Sequence, residues 1–184
     1  MIFVRKNVKI KDRSYRGRIV IFKFPFSNYA DTISDLLDKS ELYIKRCIGA
    51  PGDSIYIKNG LIYNSFFGKV WGKDLSDSSI CLMAHDYDVI TNYNQNRLDN
   101  ILNISPIYVP KSGDTIQINK QTIQLYKKII RYESGCNPTL GMSYVFKENY
   151  CFMCGDNILH SIDSRHWGFV PEKFIVAMYI TKLI

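Results

Sequence analysis

A mainly β protein built of antiparallel sheets is what this sequence predicts, and three observations carry the prediction. Asn59-Gly60 sits between two short alternating runs, residues 54–58 and 61–64, and that pattern marks a two-residue hairpin with a type I′ turn. The chain has 13 Tyr and 10 Phe in 184 residues, with 46% hydrophobic and 22% charged residues, so it is globular and its composition leans towards strands. A single stretch, residues 119–135, has the spacing of a long helix.

The elements follow in order. Ile2-Phe3-Val4 reads as a strand, without the apolar run and small-residue cleavage site of a secretory signal. Residues 18–24 set Ile19, Ile21 and the stem of Lys23 against Val20, Phe22 and Phe24, apolar on both faces, until Pro25 stops the run; this is a central strand. Residues 31–40, around Leu36-Leu37, suit a short helix or a surface loop. Residues 42–48 are another β-rich run, and Ala50-Pro51-Gly52-Asp53 places Pro and Gly where a type II turn wants them. Residues 65–105 are rich in Ser, Asn, Asp and Tyr with weak periodicity, an elaborated insert with short strands or turns. Residues 114–118 form a short strand. Asn119 is the expected N-cap of a helix running to Glu133, with Ile123, Tyr126 and Ile130 on one stripe and Gly135 as its stop. Strand character returns in residues 144–146, 150–154 and 174–183, with Gly155-Asp156-Asn157 as a turn.

Several classes of function are disfavoured. No stretch reaches the ~20 apolar residues that span a bilayer. The net charge of +7 suits anionic partners, but the basic residues are dispersed and no nucleic-acid motif accompanies them, so no nucleic-acid partner is expected. Five cysteines, an odd number at irregular spacing, make no disulfide framework. Cys151 and Cys154 have zinc-like spacing, but residues three apart in a strand face opposite ways, so both read as packed thiols. His85, His160 and His166 show no ligand spacing. No metal and no organic cofactor are expected.

Two segments carry chemistry. Lys45 lies inside an apolar strand, on one face with Tyr43 and Cys47, while Arg46 shares the other with Ile44 and Ile48. A free lysine has a pKa of about 10.4, so a lysine serving as a base near neutrality needs burial to lower it. On this segment alone, a lysine snorkelling from a strand edge is the favoured reading. Residues 155–172 form a long turn-rich stretch holding Ser161, Asp163, Ser164, Arg165 and a Trp-Gly-Phe, the kind of loop on which function is positioned.

Together these residues resemble a known family. Lys45-Arg46-Cys47-Ile48-Gly49-Ala50-Pro51-Gly52-Asp53 is similar to the lysine-bearing box of the bacterial type I signal peptidases. Gly155-Asp156-Asn157, with Ser161-Ile162-Asp163-Ser164-Arg165-His166-Trp167-Gly168-Phe169-Val170-Pro171-Glu172, resembles their C-terminal box. Residues 16–25 resemble the strand box that precedes the lysine, and Val109-Pro110-Lys111-Ser112-Gly113-Asp114 resembles the variety in Bacteroidetes-like bacteria. Residues 65–105 match nothing in the family pattern.

The resemblance implies a serine endopeptidase that removes signal peptides from exported preproteins through a Ser/Lys dyad. In it Lys45 is the general base, Ser161 holds the lysine amine, and Asp156, Asp163 and Arg165 support the site. Tyr43, Ile44 and Ile21 fall where the family lines its pockets for small residues, with the substrate pairing as an added strand. Residues 1–55 and 144–184 become a catalytic β core, and residues 56–143 an inserted smaller α/β subdomain. The family nucleophile belongs to a Ser-Met-x-Pro-Thr-Leu box ahead of the strand that Ile2-Phe3-Val4 resembles. Serine and membrane anchor are therefore expected ahead of Met1, this chain alone is expected to be inactive, and the catalytic domain is expected on the outer face of the cytoplasmic membrane, against its lipid surface. Residues 134–140, Ser-Gly-Cys-Asn-Pro-Thr-Leu, echo that box in the wrong order and are read as a decoy. The alternative is a non-catalytic homologue that at most binds extended peptides.

Overall fold

The computed structural model describes residues 2–6, 15–25, 33, 41–71 and 102–182. The expected helix or loop at residues 31–40 lies outside them apart from Ile33, as do residues 72–101 of the insert.

A six-stranded sheet draws its strands from both ends of the chain. Its order is β1 (Ile2–Lys6), β12 (Ile175–Lys182), β2 (Ile19–Lys23), β3 (Leu42–Gly49), β10 (Tyr150–Cys154) and β11 (Val170–Pro171), paired antiparallel throughout. The run with two apolar faces, β2, is internal to this sheet. A four-stranded sheet comes from the middle of the chain, in the order β6 (Gly68–Trp71), β5 (Leu61–Asn64), β4 (Ser54–Lys58), β7 (Ile104–Tyr108). A third pair, β8 (Thr115–Gln117) with β9 (Ser143–Val145), brackets helix α1 (Thr122–Ser134), and a four-residue helix α2 (Ser164–Trp167) precedes β11. The chain is mainly β with antiparallel sheets, as the composition and alternation predict.

Turn chemistry sets the local geometry. Asn59 and Gly60 both take positive φ, 49° and 77°, as a type I′ turn demands. The resulting register stacks Tyr56 on Tyr63 with ring centroids 4.5 Å apart. Gly52 has φ 89° and Asp53 N–H donates to Ala50 O at 3.0 Å, closing the type II turn that leads out of β3.

Asp53 does more than close a turn. Its buried carboxylate accepts Arg16 Nε and Nη2 at 2.8 and 2.7 Å, Ala50 N–H at 2.9 Å and Asn64 Nδ2 at 2.8 Å. Asn64 Nδ2 also donates to Ile48 O at 2.8 Å. The end of β3, the segment before β2 and the β4–β5 hairpin therefore meet at one side chain. Gly49 serves the same junction: a Cβ there would lie 2.8 Å from Val109 Cγ2, so only glycine lets the strands approach this closely.

Helix α1 seats Tyr126, Ile129 and Ile130 in the core, with Tyr126 stacked on Phe169 and its hydroxyl donating to Tyr108 O at 2.8 Å. The expected stripe shifts by one position, because Ile129 joins it and Ile123 is only half-buried. Asn119 stands two residues ahead of the N-cap position, Gln121, yet its side-chain oxygen accepts the N–H groups of Gln121 and Thr122 at 2.8 and 3.0 Å. Gly135 ends the helix at φ 74°. Phe174 belongs to a 3₁₀ turn, Glu172–Phe174, so the last strand starts one residue later than the apolar run suggests.

Glu133 pins the end of α1 to the segment entering β10. Its carboxylate accepts Tyr144 OH and Tyr150 OH at 2.8 Å each, Lys147 N–H at 2.9 Å and Glu148 N–H at 3.0 Å. Burial first, then this carboxylate, raises both tyrosine hydroxyls well above their ordinary pKa, so they stay protonated donors. Replacing Glu133 by Ala strands four donors at a half-buried position, and a stability loss of about 2–3 kcal/mol is expected as a lowered urea midpoint at unchanged slope.

Candidate active site

Alternation along β3 gives each side chain its direction. Lys45 lies opposite Val20 and Tyr43 opposite Phe22, so both share the face that rests on the buried side of β2. Ile44 lies opposite Ile21 on the other face and is 63% exposed. The three residues expected to line substrate pockets therefore divide between two faces: Tyr43 beside Lys45, Ile21 and Ile44 behind it. Tyr43 is packed in place by Phe24, stacked at 4.6 Å, and by the edge of Trp167 at 5.5 Å.

β10 pairs with β3 from Gly49 to Arg46 and ends at Cys154. Residues 42–45 then face no described strand on the side away from β2. After Cys154 the chain turns through Gly155, loops to Asp163 and enters α2. The loop folds around one ion pair, Asp163 and Arg165, whose side chains are 0% exposed. Arg165 Nε and Nη2 donate to the two carboxylate oxygens at 2.8 Å each, and Nη2 reaches on to Ile158 O at 2.7 Å and Ser161 O at 3.3 Å. Asp163 also caps α2: its carboxylate accepts Arg165 N–H, and its own N–H donates to His166 Nδ1, both at 3.2 Å. Burial works to raise the Asp163 carboxyl, but the charge of the Arg165 guanidinium and the hydrogen bonds from it and from Gly155 N–H outweigh it and hold the group ionised, far below the usual carboxylate range.

This folded loop brings Ser161 to Lys45. Lys45 Nζ donates to Ser161 Oγ at 2.9 Å across 116 positions of sequence. Gly155 makes the approach possible, since a Cβ built there would lie 2.1 Å from Ser161 Oγ, 2.5 Å from Ser161 Cβ and 3.5 Å from Lys45 Nζ. On the flank, Arg46 Nε and Nη2 grip the Asp156 carboxylate at 2.7 and 2.6 Å, and Nη1 donates to Gly17 O at 2.8 Å. Asp156 thus braces the strand that carries Lys45, while Asp163 and Arg165 brace the loop that carries Ser161.

Cys151, Cys154 and Ser134 are poorly placed as nucleophiles. Burial pushes the thiol of Cys154 well above its ordinary pKa, and burial does the same to Cys151, so neither offers a thiolate. Ser134 ends α1 with its hydroxyl donated to Ile130 O at 2.7 Å. Sequence reasoning assigned no role to Gly155, to Ser164 or to Arg46 as the partner of Asp156. A glycine before Asp-Asn reads as an ordinary turn residue, and only the return of Ser161 reveals why a side chain is excluded.

Comparisons with known proteins identify the family. The chain matches the family described as Signal peptidase, peptidase S26, over residues 1–183. It is 28% identical over 178 residues to signal peptidase I of Buchnera aphidicola subsp. Baizongia pistaciae, covering 90% of this chain and 54% of that protein. Signal peptidase I of Haemophilus influenzae is 27% identical over 190 residues, 92% of this chain and 51% of that one, and that of Bacillus caldolyticus 32% over 140 residues, 76% and 52%. A crystal structure of a signal peptidase I from Enterococcus faecalis aligns at 17% identity with a TM-score of 0.36, over 90% of this chain and 95% of that one. The chain spans about half the length of the curated relatives it matches.

Gly155→Ala is expected to push Ser161 out of hydrogen-bonding distance of Lys45 while the buried Asp163–Arg165 pair persists. A crystal structure of the variant checks this, and an unchanged 2.9 Å contact would refute the steric argument.

Proposed function

Because the chain belongs to the signal peptidase, peptidase S26, family, we propose that it is the proteolytic body of an enzyme that cuts signal peptides from exported preproteins with Lys45 as general base. The observation that carries this reading is the Lys45 Nζ to Ser161 Oγ hydrogen bond at 2.9 Å, closed in by the bare backbone of Gly155. An amine held by one hydroxyl and backed by the Tyr43 wall is fixed in direction, which a base needs more than it needs strength.

In the proposed reaction the nucleophile is a serine of the family's Ser-Met-x-Pro-Thr-Leu box. Neutral Lys45 accepts that serine's proton as its oxygen attacks the scissile carbonyl. The resulting ammonium returns the proton to the departing amine, leaving an ester. Lys45 then deprotonates a water that hydrolyses the ester, and the serine is restored. Ser161 stays a hydrogen-bond acceptor throughout, aiming the amine. The extended substrate adds along residues 42–45 of β3, the stretch that no described strand covers on that side, with Tyr43 on one face and Ile21 and Ile44 on the other as pocket walls.

The same reading puts the enzyme at the cytoplasmic membrane with this domain on the outer face. No described helix is long and apolar enough to cross a membrane.

The test is cleavage of a preprotein by the full-length protein. Lys45→Ala and Lys45→Arg are both expected to lose at least about a thousandfold in turnover, since arginine keeps the charge but cannot release its proton. Ser161→Ala removes one orienting hydrogen bond and is expected to lose roughly ten- to a hundredfold. Near-normal turnover by Lys45→Arg would overturn the assignment of the base.

A further inference from the structure

We infer that Ser164 is a positioning residue of this site: its hydroxyl continues the hydrogen-bond ladder of β10 where the neighbouring strand stops, and so sets the phase of the loop that carries Ser161. The inference rests on the proposed protease reading and adds to it a residue that never meets the substrate.

β10 has β3 along one edge, with Phe152, Met153 and Cys154 in register with Gly49, Cys47 and Arg46. Along its other edge β11 covers only Tyr150 and Cys151. In a strand the N–H groups of alternate residues point to the same edge, so the ladder that β11 begins at Cys151 asks for partners at Met153 and Gly155. No described strand supplies them. Met153 N–H donates to Ser164 Oγ at 2.9 Å, and Gly155 N–H donates to Asp163 Oδ2 at 3.0 Å. Two consecutive side chains at the start of α2 thus stand in for an edge strand.

The substitution has consequences at both ends. Met153 is in register with Cys47, two residues from Lys45 on the same face, and Gly155 lies directly beneath Ser161. Fixing these two N–H groups to residues 163 and 164 locks the end of β10 to the base of the loop, with Ser161 two residues upstream. Serine suits the role because Ser164 is 0% exposed and Met153 likewise, so the site has room for a hydroxyl and little more. Alanine would leave a buried N–H without a partner, and the strand end could slide relative to the loop.

The experiment compares wild type with Ser164→Ala in the full-length protein, reading kcat, KM, hydrogen exchange at the Met153 amide and the Ser161–Lys45 side-chain cross-peak in NMR spectra. Ser164→Ala is expected to speed Met153 exchange, weaken the cross-peak and lower kcat roughly tenfold, with KM unchanged because the substrate edge of β3 is untouched. Should Ser164→Ala fail to fold, Ser164→Cys keeps the volume and a weaker acceptor, and the same pattern in smaller measure is expected. Slow Met153 exchange with wild-type kcat, or a loss seen only in KM, would overturn the inference. Exchange and cross-peak do not depend on cleavage, so a failure of the ladder is separable from a failure of the protease reading.

Discussion

A single buried ion pair, Asp163 with Arg165, is the interaction on which the site depends. Removing both charges from water is expensive, and the pair offsets that cost through the hydrogen bonds made by the carboxylate and by guanidinium Nε and Nη2. The carboxylate takes two bonds from the guanidinium and one from Gly155 N–H, and the guanidinium spends its remaining reach on the carbonyls of Ile158 and Ser161. Arg165 Nη1 and Trp167 Nε1 are buried without hydrogen-bond partners, so the arrangement also carries a cost. Apolar side chains of equal volume would fill this space at no electrostatic penalty, but they could not tell a loop where its carbonyls belong. Direction is what the ion pair supplies, and the direction it sets is that of Ser161.

A second constraint comes from chain topology. Lys45 lies in a strand near the start of the chain and Ser161 in a loop near its end, so their hydrogen bond forms only when the six-stranded sheet closes from both termini. The Asp53 junction with Arg16 and Asn64 fixes how β3 leaves that sheet, and the Arg46–Asp156 pair ties β3 back to the turn after β10. The site is therefore a consequence of sheet register: slip β10 by one residue and every side chain changes face. Ser164 and Asp163, acting as two rungs of a missing strand, guard against that slip at the point where it would matter most.

What was legible in the sequence was mostly local. Asn59-Gly60 and Pro51-Gly52 announce their turns because positive φ is a property of the residue itself. The faces of β2 and β3 follow from a period of two, and Gly135 marks the end of α1 for the same stereochemical reason as the turns. The candidate dyad was legible differently, through motif resemblance, because nothing in spacing or periodicity links positions 45 and 161. Gly155 and Ser164 escaped notice since their roles exist only in the folded loop, where an excluded Cβ and a backbone N–H one residue from a strand end become visible. The division of Tyr43 from Ile44 and Ile21 was implicit in the alternation, yet a list of pocket residues carried over from a family does not say which side of a sheet each one faces.

The most direct test of the account is the ionisation of Asp163, followed by the carboxyl ¹³C shift as the folded protein is titrated with acid. With a folded pKa depressed below the unfolded value of about 3.9, the pair's contribution to stability is complete above that value and is lost progressively as pH falls towards the folded pKa. The account predicts no protonation of Asp163 down to the pH at which the chain unfolds, with the Ser161–Lys45 contact surviving to the same point. An Asp163 that titrates at or above about 3.9 while the loop stays folded would contradict it, because the loop would then be holding its shape without the charge.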